Sequence, residues 1–252
     1  MRAGEETMTL LAHVTELRSR IWRMLAFVLL SLCGGLYLSP KVLRYLKSVP
    51  PAKDMTWNVF SPWDGIRMYM TIALAFALTV SLPFILYQLW GFVRKGLHPE
   101  ERAAALRYVP YSAICFLLGL SFGYFVVYPM SFAFTTNITK SLELVETYGV
   151  AQYFGFMFNI ILPLAIAFEL PVVVMFLTKI GILTPKALHQ MRRYAYLVLV
   201  IVASLISPPE LLSHLMVFIP LVLLYEISVL LSRAVYGRRK RNAAALAEAS
   251  GT

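Results

Sequence analysis

The sequence predicts an all-α membrane protein that crosses the bilayer six times, and three observations lead there. Of its 252 residues, 59% are hydrophobic and 14% charged, whereas a soluble domain carries about 25% charged residues. Six apolar stretches of spanning character follow one another along the chain. The 23 Lys and Arg residues are sorted by side: Lys41, Arg44, Lys47, Lys53, Arg67 and Lys140 fall on one side, and all the others on the opposite one. Basic loops stay in the cytoplasm, and an even number of spans returns the chain to its starting side, so both termini are expected there. The same sorting accounts for the net charge of +10 without a nucleic-acid partner.

Residues 9–20 are expected to form an amphipathic helix on the membrane surface, with Leu10, Val14, Leu17 and Ile21 on one face. The basic start before an apolar run has the look of a signal peptide. The run is long and no small-x-small cleavage site follows, so it reads as a retained first span over 21–38, ending at Ser39-Pro40. In the loop that follows, Val42, Leu43 and Leu46 alternate with Lys41, Arg44 and Lys47, which suggests a short surface helix before Pro50-Pro51 and Ser61-Pro62 break the chain. The second span covers 66–90, with a kink expected at Pro83. The third covers 108–134 and the fourth 153–177. Gly181 reads as a helix C-cap, and Thr184-Pro185 as the cap and first position of a short connecting helix. The fifth span, 194–206, has about 13 apolar residues, short of the roughly 17 needed to cross. Ser207-Pro208-Pro209 ends it, and the sixth span, 211–231, follows. Residues 1–236 thus form one six-helix transmembrane domain. The tail 237–252, with Arg238-Arg239-Lys240-Arg241 followed by Ala and Glu, is expected to be disordered.

Enzyme signatures are missing. There is no G-x-S-x-G, H-E-x-x-H or Walker A loop. His13, His98, His189 and His214 are scattered, and Cys33 and Cys115 sit in apolar runs as small hydrophobes. No cofactor or metal is expected. The acidic residues are more informative. Glu169 stands inside the fourth span, where a carboxylate costs roughly 2.5–3.5 kcal/mol to insert and so faces protein or water rather than lipid. Pro171, two residues on, frees a backbone carbonyl nearby. Such a Glu can simply be protonated and bonded to a neighbouring helix, or it can line a polar hollow. Glu16 lies opposite the apolar face of its helix and can pair with Arg20 at i,i+4, worth a few tenths of a kcal/mol. Glu100 and Glu101 follow Pro99 at a helix start and complement its dipole. Taken together they place carboxylates on one surface between basic loops, a setting suited to guanidinium ligands. Ser204, Ser207 and His214 form a weakly polar stripe near the outer ends of the last two spans, suited to internal packing or to a partner helix.

His13-x-x-Glu16-Leu17-Arg18-x-Arg20, Pro83-Phe84-Ile85-Leu86-Tyr87-Gln88-Leu89-Trp90-x-Phe92 and Gly96-Leu97-x-x-x-Glu101-Arg102 resemble motifs of the TatC family. So do Phe122-x-Tyr124-Phe125, Phe168-Glu169-Leu170-Pro171-Val172, Gly181-Ile182-x-Thr184-Pro185, Ser207-Pro208-Pro209-Glu210 and Ile219-Pro220-x-x-x-x-Tyr225-Glu226-Ile227. That family is the multispanning subunit of the twin-arginine protein translocase, and the likeness runs from about residue 8 to 236. It implies six helices in a concave, glove-like arrangement. It also implies recognition of twin-arginine signal peptides of folded cargo through Glu16 and Glu101, with Arg18, Arg102 and Phe92 beside them. Single-span TatA/TatB-type partners, a homo-oligomer within a larger complex, and a drive from the proton gradient are implied too. Pro83, Tyr124, Glu210 and Glu226 stand at further motif positions. Lys95 replaces the usual Pro, Glu210 an Asp, and Ala103 a second basic residue found in some members.

The reading that follows is a non-enzymatic translocase core in a bacterial or archaeal plasma membrane. Its main rival is a proton-coupled secondary transporter with Glu169 as the carrier, for which no internal repeat is visible. A membrane hydrolase lacks a nucleophile–base pair.

Overall fold

The computed structural model describes residues 2–95, 99–206 and 211–250, with the side chains of residues 2–14, 54, 90, 93–95, 99–107, 211–213, 239–240 and 242–250 left aside. The residues group into two compact units, one of residues 1–113 with 148–155, the other of 114–147 with 156–252. Among the described residues, five helical stretches are long and apolar enough to cross a membrane: Thr15–Ser48, Asp64–Leu89, Tyr108–Ser141, Val150–Lys179 and His214–Arg238. The sixth helix of the reading is the short one.

In the first unit, helix α1 (Arg2–Ser48) runs unbroken for 47 residues, about 70 Å at 1.5 Å per residue. The expected surface helix, first span and second surface helix are therefore one element, and Ser39-Pro40 does not end it. The reason is tertiary. Helix α1 packs along α2 (Asp64–Lys95) through small residues. A β-carbon on Gly35 would lie 2.6 Å from the Ala73 carbonyl oxygen and 2.9 Å from its Cα. Fully buried Ser39 shares its one hydroxyl hydrogen between the Gly35 carbonyl, at 2.7 Å, and the Tyr69 carbonyl of α2, at 3.1 Å. Pro40 removes one helix hydrogen bond, and this close packing holds the chain helical across it. Farther along, Phe27 stacks on Phe84 with centroids 4.4 Å apart. Helix α2 passes through Pro83 without breaking.

A two-residue parallel pair that the sequence did not announce closes this unit: β1 (Trp57–Asn58) against β2 (Tyr148–Gly149). Trp57 stacks on Phe154 at 5.3 Å and meets Tyr153 edge-on at 5.1 Å. Lys47 Nζ lies 5.3 Å over the Trp57 ring. Gly149 is required here, since a β-carbon would come within 2.7 Å of Phe60.

The third span begins in the first unit and ends in the second: it is α3 (Pro99–Phe122), a π turn over Gly123–Val127, and α4 (Tyr128–Ser141). Pro129, which has no N–H to give, follows the wide turn. The fourth span is not one helix. It is α5 (Val150–Ala167) and α6 (Leu170–Lys179), separated by a turn at Phe168-Glu169. Pro171 in the first turn of α6 cannot donate back to α5, and the chain restarts there. Helix α6 ends as expected. Gly181 has φ 83°, Ile182 N–H donates to the Leu177 carbonyl at 3.0 Å, and Gly181 N–H to that of Thr178 at 3.1 Å. Thr184 Oγ1 then accepts from Ala187 N–H at 3.2 Å and caps α7 (Pro185–Gln190).

Helix α8 (Arg192–Ile206) has 15 residues, about 22 Å of rise. Helix α9 (Leu211–Ser250) has 40 and continues through the tail expected to be disordered. Its last turns, Ala243-Ala244-Ala245-Leu246-Ala247, are rich in the best helix former. Helices α6, α7 and α8 all pack on α9, around a core that includes Ile160, Leu164, Leu199, Ala203, Val217 and Leu221. Thr178 Oγ1 and Ser232 Oγ bond across α6 and α9 at 2.7 Å, both fully buried.

Candidate functional site

Of the residues singled out for signal-peptide docking, Glu16 is placed most fully. Its side chain is 17% exposed and accepts, at Oε1, from Arg20 Nε at 2.9 Å and from the other arm of the same guanidinium at 2.8 Å. The i,i+4 pair is therefore present, and it is more than a surface pair. Arg20, 14% exposed, also donates to the Gln88 carbonyl and to Gln88 Oε1, each at 3.1 Å. Gln88 is buried on α2, 68 residues away in sequence. Gly91, the next turn of α2, carries no β-carbon, and one built there would lie 2.5 Å from Arg20 Nη1. The first helix thus delivers a carboxylate whose orientation is fixed by the second. Arg18 is exposed on α1, and Phe92 is half-buried on α2. Glu101 and Arg102 lie in the first turn of α3 with side chains outside the described set, so the second carboxylate has no stated geometry.

Glu169 is 6% exposed and sits at the turn between α5 and α6. It faces the interior of the protein, as the cost of a lipid-facing carboxylate requires. Phe168 packs against Phe122 of α3 with centroids 5.6 Å apart. Gly119 of α3 lets the helices close here, because a β-carbon would meet Ala165 Cα and Phe168 Cβ at 2.8 Å.

On α8, Leu199, Ala203 and Ile206 are buried against the core, whereas Tyr194, Leu197, Ile201, Ser204 and Leu205 are exposed. His214 is half-buried at the start of α9. Ser207 and Glu210 lie outside the described residues. Pro83 is within α2, and Tyr124 meets Phe125 edge-on at 5.0 Å in the π turn.

The structure adds one group that the sequence reading named only as a motif position. Glu226 of α9 accepts from Arg192 at Oε2 and from the Tyr196 hydroxyl at Oε1, both at 2.5 Å. Tyr225, its neighbour, donates to the Leu188 carbonyl of α7 at 2.8 Å. The signal available was the acid itself, a carboxylate inside the sixth apolar run opposite the basic start of the fifth. Among the described residues no group of His, Cys, Asp and Glu could hold a metal.

Residues 12–220 match the family model described as the Sec-independent protein translocase protein TatC. The chain belongs to the TatC family. It is 46% identical over 233 residues to the Sec-independent protein translocase protein TatC of Halalkalibacterium halodurans, covering 92% of each chain. It is 41% identical over 239 residues to TatCy of Bacillus subtilis, covering 94% of each. Two crystal structures of the twin-arginine translocase receptor TatC are similar at 29% identity, with TM-scores of 0.79 and 0.80. The first covers 88% of this chain and 99% of its own. TatC is a component of a protein translocase and not a catalyst, so the hydrolase reading is set aside. Its members and the apolar helices here describe a multi-pass protein of the bacterial inner membrane.

Proposed function

We propose that this chain is the receptor core of a twin-arginine translocase, with both termini in the cytoplasm. It docks the paired arginines of signal peptides on its cytoplasmic surface through Glu16 and Glu101, with Arg18, Arg102 and Phe92 around them. The observation that carries this reading is the Glu16 carboxylate, which sits in a setting already shaped to a guanidinium. Arginine makes two parallel bonds to a carboxylate, whereas lysine offers a single point charge. Changing Glu16 or Glu101 to Gln should therefore weaken an Arg-Arg peptide more than a Lys-Lys peptide in an equilibrium binding assay. Equal weakening of both peptides would contradict the guanidinium reading.

The exposed face of α8 with Ser204, together with Ser207 and His214 next along the chain, is the site for single-span TatA/TatB-type partners. A helix of about 22 Å cannot cross about 30 Å of hydrocarbon, so the bilayer thins there or a partner covers the mismatch. Cysteines near Ser204 should crosslink to a partner's helix, and crosslinks found only within this chain would count against the site.

Glu169 serves a later step, driven by the proton gradient, and faces a water-accessible hollow. A cysteine at 169 should react with a membrane-impermeant thiol reagent from one face. Glu169→Gln should impair transport more than docking, and Glu169→Leu should impair transport further. Full protection of the cysteine together with normal transport by the Leu variant would return Glu169 to a packing role.

A further inference from the structure

We propose that the ends of α1 and α2 that lie away from Glu16 form a binding site for anionic phospholipid. Lys41, Arg44 and Arg67 take the headgroup, and Tyr37, Tyr45 and Trp63 sit beside it at the membrane interface.

The two helices bring these groups to one level. Ser39 of α1 bonds to the Tyr69 carbonyl of α2, which sets the helices in register. Lys41 stands two residues beyond Ser39, and Arg67 two residues before Tyr69, so the two charges share a height. On α1, Leu30, Cys33, Tyr37, Lys41, Arg44 and Tyr45 are all exposed at helical spacing, one face that runs from apolar to basic. On α2, Trp63, Arg67, Met70 and Leu74 make a second such face. The charges thus stand where each helix leaves its apolar run. That is the headgroup level, where exposed Tyr and Trp also belong. From Glu16 to Lys41, α1 rises about 38 Å, enough to pass about 30 Å of hydrocarbon from one headgroup layer to the other. Lipid held at Lys41 therefore keeps Glu16 at the opposite membrane surface.

The positive charge is not used inside the chain. Lys41, Arg44, Lys47, Lys53 and Arg67 are five of the six basic residues on this side, and the stretch from Tyr37 to Arg67 has only Asp54 and Asp64 as acids. Asp64 is buried and turned to the backbone, accepting from Phe60 N–H at 3.0 Å and Ser61 N–H at 3.1 Å. Among the described residues, Lys41, Arg44 and Arg67 make no ion pair. Lys41 Nζ lies 5.6 Å over the Tyr37 ring, and Arg44 Nε donates to the Pro40 carbonyl at 3.3 Å, which leaves its other N–H groups for a ligand. Basic residues are disfavoured on this side of a span, so a cluster of five calls for an anionic ligand. Phosphate suits it, because both the ammonium and the guanidinium fork bind phosphate oxygens. The other loop on this side is the contrast. Leu142, Leu144 and Val145 are exposed there beside Glu143 and Glu146, which repel an anionic headgroup.

The test uses the full-length chain in vesicles of equal parts phosphatidylglycerol and phosphatidylcholine. A photoreactive benzoylphenylalanine replaces Tyr45 in one sample and Leu142 in another, and lipid adducts are counted by mass after illumination. At position 45 the anionic lipid should exceed the zwitterionic one by about fivefold or more, the worth of one basic side chain near an anionic surface. At position 142 there should be no excess. Lys41→Gln combined with Arg44→Gln and Arg67→Gln should remove the excess at 45, and high salt should reduce it. Thermal unfolding should stay near that of the unaltered chain, since all three side chains are exposed. If the triple variant unfolds, the comparison of 45 with 142 decides alone. Equal amounts of the two lipids at 45, the same excess at 142, or an excess that survives in a folded triple variant would each overturn the proposal. So would adducts at 45 to a second copy of the chain in place of lipid. Loss of the excess on adding millimolar inorganic phosphate at constant ionic strength would make this a site for free phosphate and overturn the lipid assignment.

Discussion

Two glutamate–arginine pairs, far apart in the sequence, are built in different ways. Glu16 and Arg20 belong to the same helix, four residues apart, and their side chains are 17% and 14% exposed. Glu226 and Arg192 belong to different helices, 34 residues apart, and are 30% and 31% exposed. In the first pair the arginine carries a bond to the second helix, through Gln88. In the second the carboxylate itself joins α9 to α8, through Arg192 and Tyr196. On the docking reading, the same two residue types make a ligand site in one place and a clamp in the other. What separates them is which partner carries the contact between helices.

The largest expected effect comes from breaking the scaffold under the first pair. Gly35→Leu would drive a side chain into the Ala73 backbone and should cost at least about 1–3 kcal/mol of stability. It should also weaken peptide docking, because parting α1 from α2 moves Glu16. Thermal unfolding and peptide binding measured together would check this, and a variant that docks normally would show that α1 and α2 need not lie so close.

Next in size is the clamp. Glu226→Ala should lower stability by about 1–2 kcal/mol, since two hydrogen bonds to a half-exposed charge are lost. The reversed pair, Arg192→Glu with Glu226→Arg, should recover part of that loss. Peptide docking should hardly change. A Glu226→Ala variant that unfolds at the wild-type temperature would remove the distinction between clamp and ligand site.

Smallest should be the stability effect of Glu16→Gln, under about 1 kcal/mol, because the amide oxygen can still accept from Arg20. Its docking defect should nonetheless be large. A site whose removal barely touches the fold but removes binding has the signature of a ligand site, and a drop as large as that of Glu226→Ala would instead make Glu16 a second clamp.

Local chemistry made much of this fold legible. Gly181 and Thr184-Pro185 mark their turns because the bonds that define them close within five residues. The shortness of α8 follows from counting apolar residues before Ser207. Tertiary effects hid the rest. Ser39-Pro40 carries the signs of a helix end, and only the approach of Ala73 and Tyr69 explains why α1 continues to Ser48. Pro171 signals a freed carbonyl but not the full break at Phe168-Glu169, since proline inside a membrane helix is often accommodated. It is accommodated at Pro83 and Pro40 in this same chain. Glu16 and Arg20 were visible as a pair, but the bond from Arg20 to Gln88 and the space left by Gly91 depend on helix packing that no local pattern encodes.

The measurement that bears most directly on the docking claim is a double-mutant cycle between receptor and peptide. One axis is Glu16→Gln in the chain, and the other replaces one signal-peptide arginine, then the other, by Gln. If Glu16 pairs with one of those arginines, that cycle should show a coupling of about 1.5 kcal/mol or more, as close charge pairs across an interface do. Additivity within about 0.3–0.5 kcal/mol for both arginines would mean that neither touches Glu16, and would contradict the account.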